Sequence, residues 1–359
     1  MNNRFQISDD IASANTLSSE FYTDENIFES SKETIFAQSW QLITDTKNLL
    51  KNNQYPFTFL DGFMNEPLVL TQKDGEINCY SNVCTHRAHI VCLESCDSSI
   101  LRCRYHGRTF ELDGKMKAMP GFDEVKNFPS EKDNLPSVSS QIWRDFIFVS
   151  LNPTINIQSV LNDINHRLQG YEFDKLIFDK AESKEYIIDS HWALYCENYL
   201  EGFHVPFIHH GLNRDIALNT YKTILLKNGV LQYTLSKSNE KKIGISSKYL
   251  NSDENVYAYY YWLFPNMMLN FYSWGISINI IEPISKNKTR IKFLSYPIDN
   301  NIQPVKLDSS LDKVEKEDQS VVLNVQKGIA SMFYNRGRYS SKHEMGVHHF
   351  HRLLCNYLN

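Results

Sequence analysis

Two cysteine–histidine pairs, sixteen residues apart, constrain this chain more than any other feature. Cys84 and His86 form a C-x-H pair, and Cys103 and His106 form a C-x-x-H pair. Thiolate and imidazole groups are the side chains with which proteins bind zinc and iron–sulfur centres. The two pairs therefore predict one metal site built from two segments of the chain.

The order of these four donors distinguishes two kinds of metal site. A Rieske [2Fe–2S] cluster takes two thiolates on one iron and two imidazoles on the other. Zinc also binds two cysteines and two histidines, but zinc sites usually pair like with like, as C-x-x-C and H-x3–5-H. Each segment here mixes one cysteine with one histidine. We therefore predict a Rieske cluster, with Cys84 and Cys103 on one iron and His86 and His106 on the other.

Composition argues against several functional classes. The length of 359 residues allows roughly two to three domains. The net charge of −5 and the pI of about 6.2 argue against a nucleic-acid-binding surface. The sequence contains no run of the roughly 18 apolar residues that a membrane span needs, and no apolar export signal, so we expect a cytoplasmic chain with reduced thiols. Three further cysteines are expected to be buried apolar residues or spare thiols: Cys79, Cys92 and Cys96.

A second set of donors lies further along the chain, in an otherwise apolar segment that contains Glu201, His204 and His209. An iron(II) centre that activates O₂ needs open coordination positions, which a set of two histidines and one carboxylate provides. Residues 201 and 204 share a helix face, whereas 204 and 209 are separated by about 140° on a regular helix. Pro206 lies between the two histidines, where it is expected to break or restart the helix.

The residues around both donor sets resemble a known family, the large (alpha) subunits of the Rieske non-haem iron oxygenases. Residues 83–87 (VCTHR) and 103–107 (CRYHG) are similar to its cluster motifs, and residues 192–209 to its iron-binding stretch. The family commonly has glycine and tryptophan where this chain has Ala88 and Arg108. The ligands are unaffected, but cluster hydrogen bonding and partner docking are expected to differ.

The resemblance implies roles for individual residues. His204 and His209 match the two iron-ligating histidines, and Asp318, in a run similar to the family's later acidic helix, matches the third ligand, with Glu315 as the alternative. Glu201 matches an acidic residue that is not a ligand, and that connects the iron site with the Rieske histidine of a neighbouring subunit. The resemblance also makes Asn198 a candidate catalytic residue, together with Glu201.

Cofactors and partners follow from the same resemblance. It implies a Rieske [2Fe–2S] cluster, a mononuclear Fe(II) and O₂ as co-substrate. The chain has no G-x-G-x-x-G dinucleotide motif, so electrons from NAD(P)H are expected to arrive through a separate reductase or ferredoxin. A homotrimer is the expected assembly.

The expected fold class is α+β. Residues 1–39 are predicted as a helical arm that belongs to the catalytic domain, and residues 40–150 as an all-β Rieske domain with turn signals such as Asp113-Gly114. Residues 151–359 are predicted as the mononuclear iron catalytic domain, in which an antiparallel sheet wraps around long helices (a helix-grip fold). Its longer predicted elements are helices at 192–209 and 311–333 and strands at 256–262 and 267–281.

The substrate is less constrained than the metal sites. Residues 201–207 and the histidine-rich tail at 337–352 look like the choline, glycine betaine and carnitine monooxygenase branch. Aromatic residues crowd positions 257–274, where they either fill the core or form a cage for a trimethylammonium group. We therefore expect a quaternary ammonium or N-methyl substrate. The alternatives are an aromatic-ring-hydroxylating or O-demethylating oxygenase, and a Rieske electron-transfer protein without oxygenase activity. The tail is expected to dock a reductase or to pack internally.

Overall fold

The computed structural model describes residues 5–49, 51–209, 211, 216–237, 243, 255–298 and 309–359. The chain divides into two compact units. The small unit is Ala37–Thr154, and the large unit combines Met1–Phe36 with Ile155–Asn359. Each unit carries one of the two donor sets.

Antiparallel strands dominate the small unit. In chain order they are β1 (Gln41–Asp45), β2 (Gln54–Phe59), β3 (Glu66–Lys73), β4 (Glu76–Ser81), β5 (Ile100–Arg102), β6 (Thr109–Glu111), β7 (Met116–Ala118), β8 (Ser137–Trp143) and β9 (Phe146–Ser150). Six of them form one sheet in the order β1-β9-β8-β4-β3-β2, and the other three form a second sheet in the order β5-β6-β7. The predicted β character of this part of the chain is confirmed.

Tight turns set the register of the larger sheet. Asp74 and Gly75, between β3 and β4, have φ angles of 52° and 85°, which aspartate and glycine tolerate better than other residues. The stretch 142–149 contains the turn of a hairpin between β8 and β9. Its chain reverses at Arg144 (φ 55°), so that Trp143 pairs with Phe146.

A seven-stranded antiparallel sheet forms the centre of the large unit. Its strands are β10 (Asp179–Ile188), β11 (Ile216–Leu226), β12 (Gly229–Ser236), β13 (Val256–Leu263), β14 (Met267–Tyr272), β15 (Gly275–Ser285) and β16 (Lys288–Pro297). They lie in the order β10-β16-β15-β14-β13-β12-β11. The single strand predicted at 267–281 was wrong: the chain turns back before Gly275, whose φ of 152° favours glycine. A Cβ there would also collide with the carbonyl oxygen of Tyr296.

Eight α-helices lie in the described part of the chain. They are α1 (Ser19–Thr23), α2 (Glu25–Ser31), α3 (Thr46–Leu49), α4 (Gln158–Arg167), α5 (Trp192–Tyr199), α6 (Val205–Ile208), α7 (Ser309–Ile329) and α8 (Met345–Leu358). The predicted helix at 311–333 corresponds to α7, although it ends four residues earlier than expected. None of the described helices is long and apolar enough to cross a lipid bilayer.

The segment 192–209, predicted as helical, is not one helix, because the chain leaves the helix after α5 and restarts it at α6; the expectation that Pro206 marks a break or restart is confirmed. Pro206 lies in the first turn of α6, where its missing N–H costs nothing. The ring of Tyr221 packs on Gly202, where a Cβ would lie 2.8 Å from Cζ. The break releases His204 and His209 from one continuous helix, so the 140° separation no longer holds.

The predicted N-terminal arm is only partly helical. Beyond α1 and α2 it contains one π-helical turn at Lys32–Phe36, while residues 5–18 are not helical. Its apolar residues are buried against the start of α5. The Phe21 ring meets His191 at 5.1 Å, and the Phe36 ring meets Trp192 at 5.1 Å. The arm therefore supports the helix that leads to the second donor set.

Candidate metal centres

Two short loops in the small unit present the first donor set. In the first loop, Cys84 N donates to His89 O at 2.9 Å and Ala88 N donates to Cys84 O at 3.0 Å. In the second, Cys103 N donates to Arg108 O at 2.8 Å. Ala88 has a φ of 54°, in the left-handed region where glycine is favoured, so alanine costs roughly 1–2 kcal/mol there.

The four predicted cluster residues come together with unused ligand atoms. Nδ1 of His86 and Nδ1 of His106 are buried and have no hydrogen-bond partner in the described structure, and the two rings are 4.8 Å apart. Both thiols are buried, and burial together with the neighbouring Cys103 thiol raises the pKa of Cys84. Buried nitrogens without partners are costly. This donor set fits a cluster that binds both imidazoles through Nδ1 and both thiolates on the other iron.

The outer side of this site is aromatic and exposed. The Tyr105 ring packs on His106 with the ring centroids 3.7 Å apart, and its side chain is 52% exposed. Arg87 lies over the same Tyr105 ring at 5.6 Å. The histidine side of the predicted cluster therefore faces the surface of the small unit.

In the large unit, His204, His209 and Asp318 form the second set. Their ligand atoms all lie within 4.8 Å of one another. Asp318 Oδ1 is 2.9 Å from His209 Nε2 and 3.6 Å from His204 Nε2. His204 precedes α6, His209 follows it, and Asp318 comes from α7. Two imidazoles and one carboxylate that meet in this way fit a mononuclear iron(II) with open positions.

Two glutamates orient these histidines. His204 Nδ1 lies 2.6 Å from Glu201 Oε1, and His209 Nδ1 lies 2.9 Å from Glu317 Oε2. Metal-binding histidines usually donate their second ring N–H to a carboxylate in this way, which fixes the tautomer that leaves Nε2 free. Burial lowers the pKa of His209, but its hydrogen bonds to Asp318 and Glu317 outweigh burial, and the net shift is upward.

The remaining predicted site residues occupy different positions. Glu201 Oε2 accepts hydrogen bonds from the backbone N–H groups of Phe203 and His204, so this carboxylate is fixed in the break between α5 and α6. Asn198 is half-buried near the end of α5. Glu315, the alternative ligand, lies outside the triad, because Tyr195 Oη and Gln319 Nε2 donate to it at 2.5 and 2.9 Å.

Sequence reasoning missed two neighbours of the iron site. Glu317 was not among the predicted site residues, although its position next to Asp318 was an available signal. Tyr221 gave no signal, because its role depends on the pairing of β11 with β12. Its hydroxyl donates to Gln232 Oε1 at 3.0 Å, and Gln232 Nε2 donates to the carbonyl oxygen of Tyr199 at 2.8 Å.

The aromatic residues at 257–274 divide into two groups. Five of them are fully buried: Tyr259, Tyr261, Trp262, Phe264 and Phe271. The others are half-buried and contact one another. Tyr272 stacks on Trp274 at 5.3 Å and meets Tyr260 at 6.0 Å and Tyr257 at 6.4 Å. Filling of the core, one of the two predicted roles, therefore accounts for the fully buried residues. It does not account for the half-buried ones.

The half-buried tyrosines lie beside the helix that leads to the iron site. Tyr260 pairs with Asn270 in the sheet, and Tyr199, at the end of α5, donates to Asn270 Oδ1 at 2.6 Å. Burial raises the pKa of Tyr199, Tyr260 and Tyr272, and the mutual proximity of the phenols raises it further. These rings stay neutral at physiological pH and present π faces and hydroxyl groups.

The histidine-rich tail packs internally. His348 Nε2 lies 2.8 Å from Ser8 O, and His349 Nε2 lies 2.8 Å from Leu226 O. His351 Nδ1 lies 2.6 Å from the hydroxyl of Tyr339. Of the two predicted roles, these contacts support packing of α8 against the rest of the large unit.

Comparison with known proteins agrees with this geometry. Residues 39–129 match the Rieske [2Fe-2S] domain, and residues 178–359 match the catalytic domain of the ring hydroxylating alpha subunit family. The chain is 31% identical over 355 residues to choline monooxygenase, chloroplastic, of Amaranthus tricolor (95% of this chain, 77% of the relative). It is 28% identical over 357 residues to the carnitine monooxygenase oxygenase subunit of Escherichia coli (strain K12), covering 95% of this chain and 93% of the relative.

Solved structures show the same fold. A quaternary ammonium Rieske monooxygenase in complex with L-carnitine superposes with a TM-score of 0.79 at 22% identity, covering 96% of both chains. Naphthalene 1,2-dioxygenase superposes with a TM-score of 0.71 at 16% identity, covering all of this chain and 95% of that chain. The predicted α+β fold, with a Rieske domain and a catalytic domain, is confirmed. The chain belongs to the ring hydroxylating alpha subunit family, and it is a Rieske-type oxygenase with a [2Fe–2S] cluster and a mononuclear iron.

Proposed function

We propose that this oxygenase oxidises a small quaternary ammonium or N-methyl compound. The observation that carries the proposal is the group of half-buried tyrosines beside the helix that leads to the iron site, Tyr199, Tyr260 and Tyr272, because neutral aromatic faces attract a cation that has left water. Curated relatives named for choline and carnitine support the same substrate class. We also propose that the Rieske domain extends from about residue 40 to about residue 150.

The residues of this chain would act by holding and orienting. His204, His209 and Asp318 would bind the iron, which supplies O₂ activation when it is bound. Glu201 and Glu317 would keep Nε2 of each histidine turned towards it. Monooxygenation consumes one O₂, two electrons and two protons for each C–H bond that becomes C–OH, with one water formed. The tyrosines would hold the cationic end so that one C–H bond lies next to the open positions.

Electron supply would depend on other chains. Rieske oxygenases form oligomers and take electrons from separate reductases. For this chain we propose a homotrimer in which Glu201 receives a hydrogen bond from His106 of the neighbouring copy. Exposed apolar side chains near the break between α5 and α6 support such an interface, since Phe203 is 44% and Phe207 is 69% exposed. Asn198 would help to position Glu201, three residues further along.

An NAD(P)H-dependent reductase or ferredoxin would deliver the electrons, because the chain has no dinucleotide motif of its own. A cytoplasmic location is part of the proposal. Its support is that none of the seven cysteines, all of them in the described part of the chain, forms a disulfide, as expected in a reducing compartment.

The experiment is a substrate screen with purified protein and a surrogate reductase, which measures O₂ and NADH consumption. Choline, carnitine and glycine betaine are compared with aromatic acids and with 3,3-dimethyl-1-butanol, the neutral carbon analogue of choline. We expect turnover with at least one cation and much weaker turnover with the neutral analogue. Coupled turnover with an aromatic acid and none with the cations would favour the aromatic alternative.

A matched pair of variants tests the tyrosine group directly. Tyr260→Leu removes one π face and should raise the KM for the cationic substrate roughly 5- to 30-fold, as expected for a cation–π contact of about 1–2 kcal/mol. Tyr260→Phe keeps the face and should leave KM close to the original value. Equal KM values in the two variants would contradict a cation-binding role.

A further inference from the structure

A buried arginine connects the two cluster-binding loops of the small unit. Arg108 follows the second loop, and its side chain is only 2% exposed. Nη1 donates to Thr85 Oγ1 at 2.7 Å, and Nη2 donates to Asp133 Oδ1 at 3.0 Å. Thr85 stands between Cys84 and His86 in the sequence. The guanidinium therefore joins the loop that carries one pair of ligands to the loop that carries the other.

Two aromatic rings enclose this guanidinium. Its Cζ lies 5.8 Å from the centre of the Phe122 ring and 5.3 Å from that of Phe128. Phe122 also meets the ring of His86 edge-on at 5.4 Å. One phenyl ring is thus shared by Arg108 and a cluster-binding imidazole, which places the positive charge close to the histidine side of the cluster.

Asp133, the ion-pair partner of Arg108, neutralises the positive charge of the guanidinium only in part. The Asp133 side chain is 20% exposed, and its Oδ2 accepts hydrogen bonds from Ser130 N and Ser130 Oγ at 2.8 and 2.9 Å. Nε of Arg108 is buried and has no hydrogen-bond partner in the described structure. Water screens the acid more strongly than it screens the arginine. The positive charge of Arg108 is therefore less screened than the negative charge of Asp133.

We propose that Arg108 is a positioning residue that raises the reduction potential of the Rieske cluster by holding a buried positive charge beside its histidine-bound iron. Reduction adds one negative charge to the cluster, and a nearby cation in a poorly screened region stabilises the reduced form. Net charge around the cluster is one of the factors that set such potentials. The inference rests on the predicted cluster ligands and not on the proposed substrate.

The test is a redox titration of the cluster, followed by visible circular dichroism, in which only protein with an intact cluster spectrum is compared. Arg108→Gln should lower the equilibrium constant for reduction at least tenfold, which corresponds to a shift of about 59 mV to more negative potential. Asp133→Asn should move the potential in the opposite direction, because the arginine loses its counter-charge. Arg108→Lys keeps the charge and should change the equilibrium constant less than threefold.

Arg104→Gln is the matched control, since it removes the same charge from the same loop at a side chain that is 69% exposed. Its equilibrium constant should change less than threefold. Equal potentials for Arg108→Gln and the unmodified protein would overturn the proposal, and so would a shift of Asp133→Asn in the same direction as Arg108→Gln. If Arg108→Gln fails to assemble the cluster, an unchanged potential in Asp133→Asn overturns the proposal by itself.

Discussion

The two donor sets use histidine in opposite ways. In the small unit, Nδ1 of His86 and Nδ1 of His106 have no hydrogen-bond partner among the residues that the structure describes, and they are the atoms left for a metal. In the large unit, Nδ1 of His204 and Nδ1 of His209 are each held by a glutamate, and Nε2 faces Asp318. The first set keeps its imidazoles in place through the loops that carry them. The second relies on neighbouring carboxylates.

This difference follows from how each site is assembled. The cluster residues lie on two hydrogen-bonded loops of one small unit, close together in the sequence. The iron residues come from a break between two helices and from a third helix more than one hundred positions later, with six of the seven strands of the sheet between them in the sequence. A site assembled over such a distance needs additional contacts to fix each ligand. We therefore expect the iron site to be the more sensitive of the two to changes around it.

Removal of one histidine from each site should have the largest effect. His204→Ala should lose the mononuclear iron and all turnover while the cluster spectrum is retained, because the two sites share no ligand. His106→Ala should lose the cluster and keep the mononuclear iron. Iron and acid-labile sulfide analysis, which should give three Fe and two sulfides per chain before mutation, measures both outcomes.

His166→Ala is a suitable control, because His166 is exposed on α4. It should retain both metals and full turnover. Loss of the cluster in His204→Ala would mean that the two sites depend on each other for folding. The claim that they are assembled independently would then be wrong.

The sequence predicted the first site more completely than the second, for a physical reason. Cys84, His86, Cys103 and His106 are readable because ligand spacing within short loops is a local property. His204 and His209 were found, and Pro206 indicated a break or restart of the helix between them, but the extent of that break, from Leu200 to His204, was not predicted. The aromatic residues at 257–274 were noted, but the sequence could not say which of them fill the core, and it gave no sign of Tyr221, because strand register decides both and no short motif encodes register.

The second-largest effect is expected at the contact between Glu317 and His209, which tests whether the iron site depends on its neighbouring carboxylates. Glu317→Ala removes the acceptor of Nδ1–H and should weaken iron binding roughly 10- to 100-fold, the usual effect of losing such a partner. Glu317→Gln keeps an acceptor oxygen and should recover part of the loss. Iron affinity is measured by competition with a chelator, and the cluster spectrum should not change.

Glu315→Gln is the matched control on the same helix, since Glu315 is bonded to Tyr195 and Gln319 rather than to a histidine. It should bind iron as the unmodified chain does. Iron loss in this variant comparable with that of Glu317→Ala would indicate that Glu315 is the third ligand instead of Asp318.

Acid should destabilise the large unit before the small one. Burial, and secondarily the charge of Lys286, lowers the pKa of His191 from 6.5 to about 3, so the folded unit excludes a proton that the unfolded chain accepts. The contribution of His191 to stability is complete above pH 6.5. It falls by up to about 1.4 kcal/mol for each pH unit between there and pH 3.

In the small unit, the titratable group that corresponds to His191 is Asp133, and it affects stability only at lower pH. Burial opposes the shift, but hydrogen bonds from Ser130 and Arg108 lower the pKa of Asp133 below 3.8. Its contribution is therefore present above pH 3.8 and is lost below it. Urea unfolding between pH 7 and 4, followed by far-ultraviolet and by cluster signals, should show the large unit weakening first. His191→Asn, which preserves an N-cap acceptor for Ala193 N, should flatten this pH dependence, and an unchanged slope would exclude His191 as its source.

The smallest expected effect tests which cysteines belong to the cluster. Cys96 is half-buried, its thiol lies 3.5 Å from Gln54 Oε1, and its backbone exchanges two hydrogen bonds with Gln54, at 3.1 and 3.2 Å. Serine preserves the backbone pairing and the polar contact, so Cys96→Ser should change the free energy of unfolding by no more than about 0.5 kcal/mol. Cluster content and the electron paramagnetic resonance signal should stay the same, whereas Cys84→Ser should lose the cluster. An altered signal in Cys96→Ser would mean that a third thiolate influences the cluster, and the first site would then also depend on residues outside its two loops.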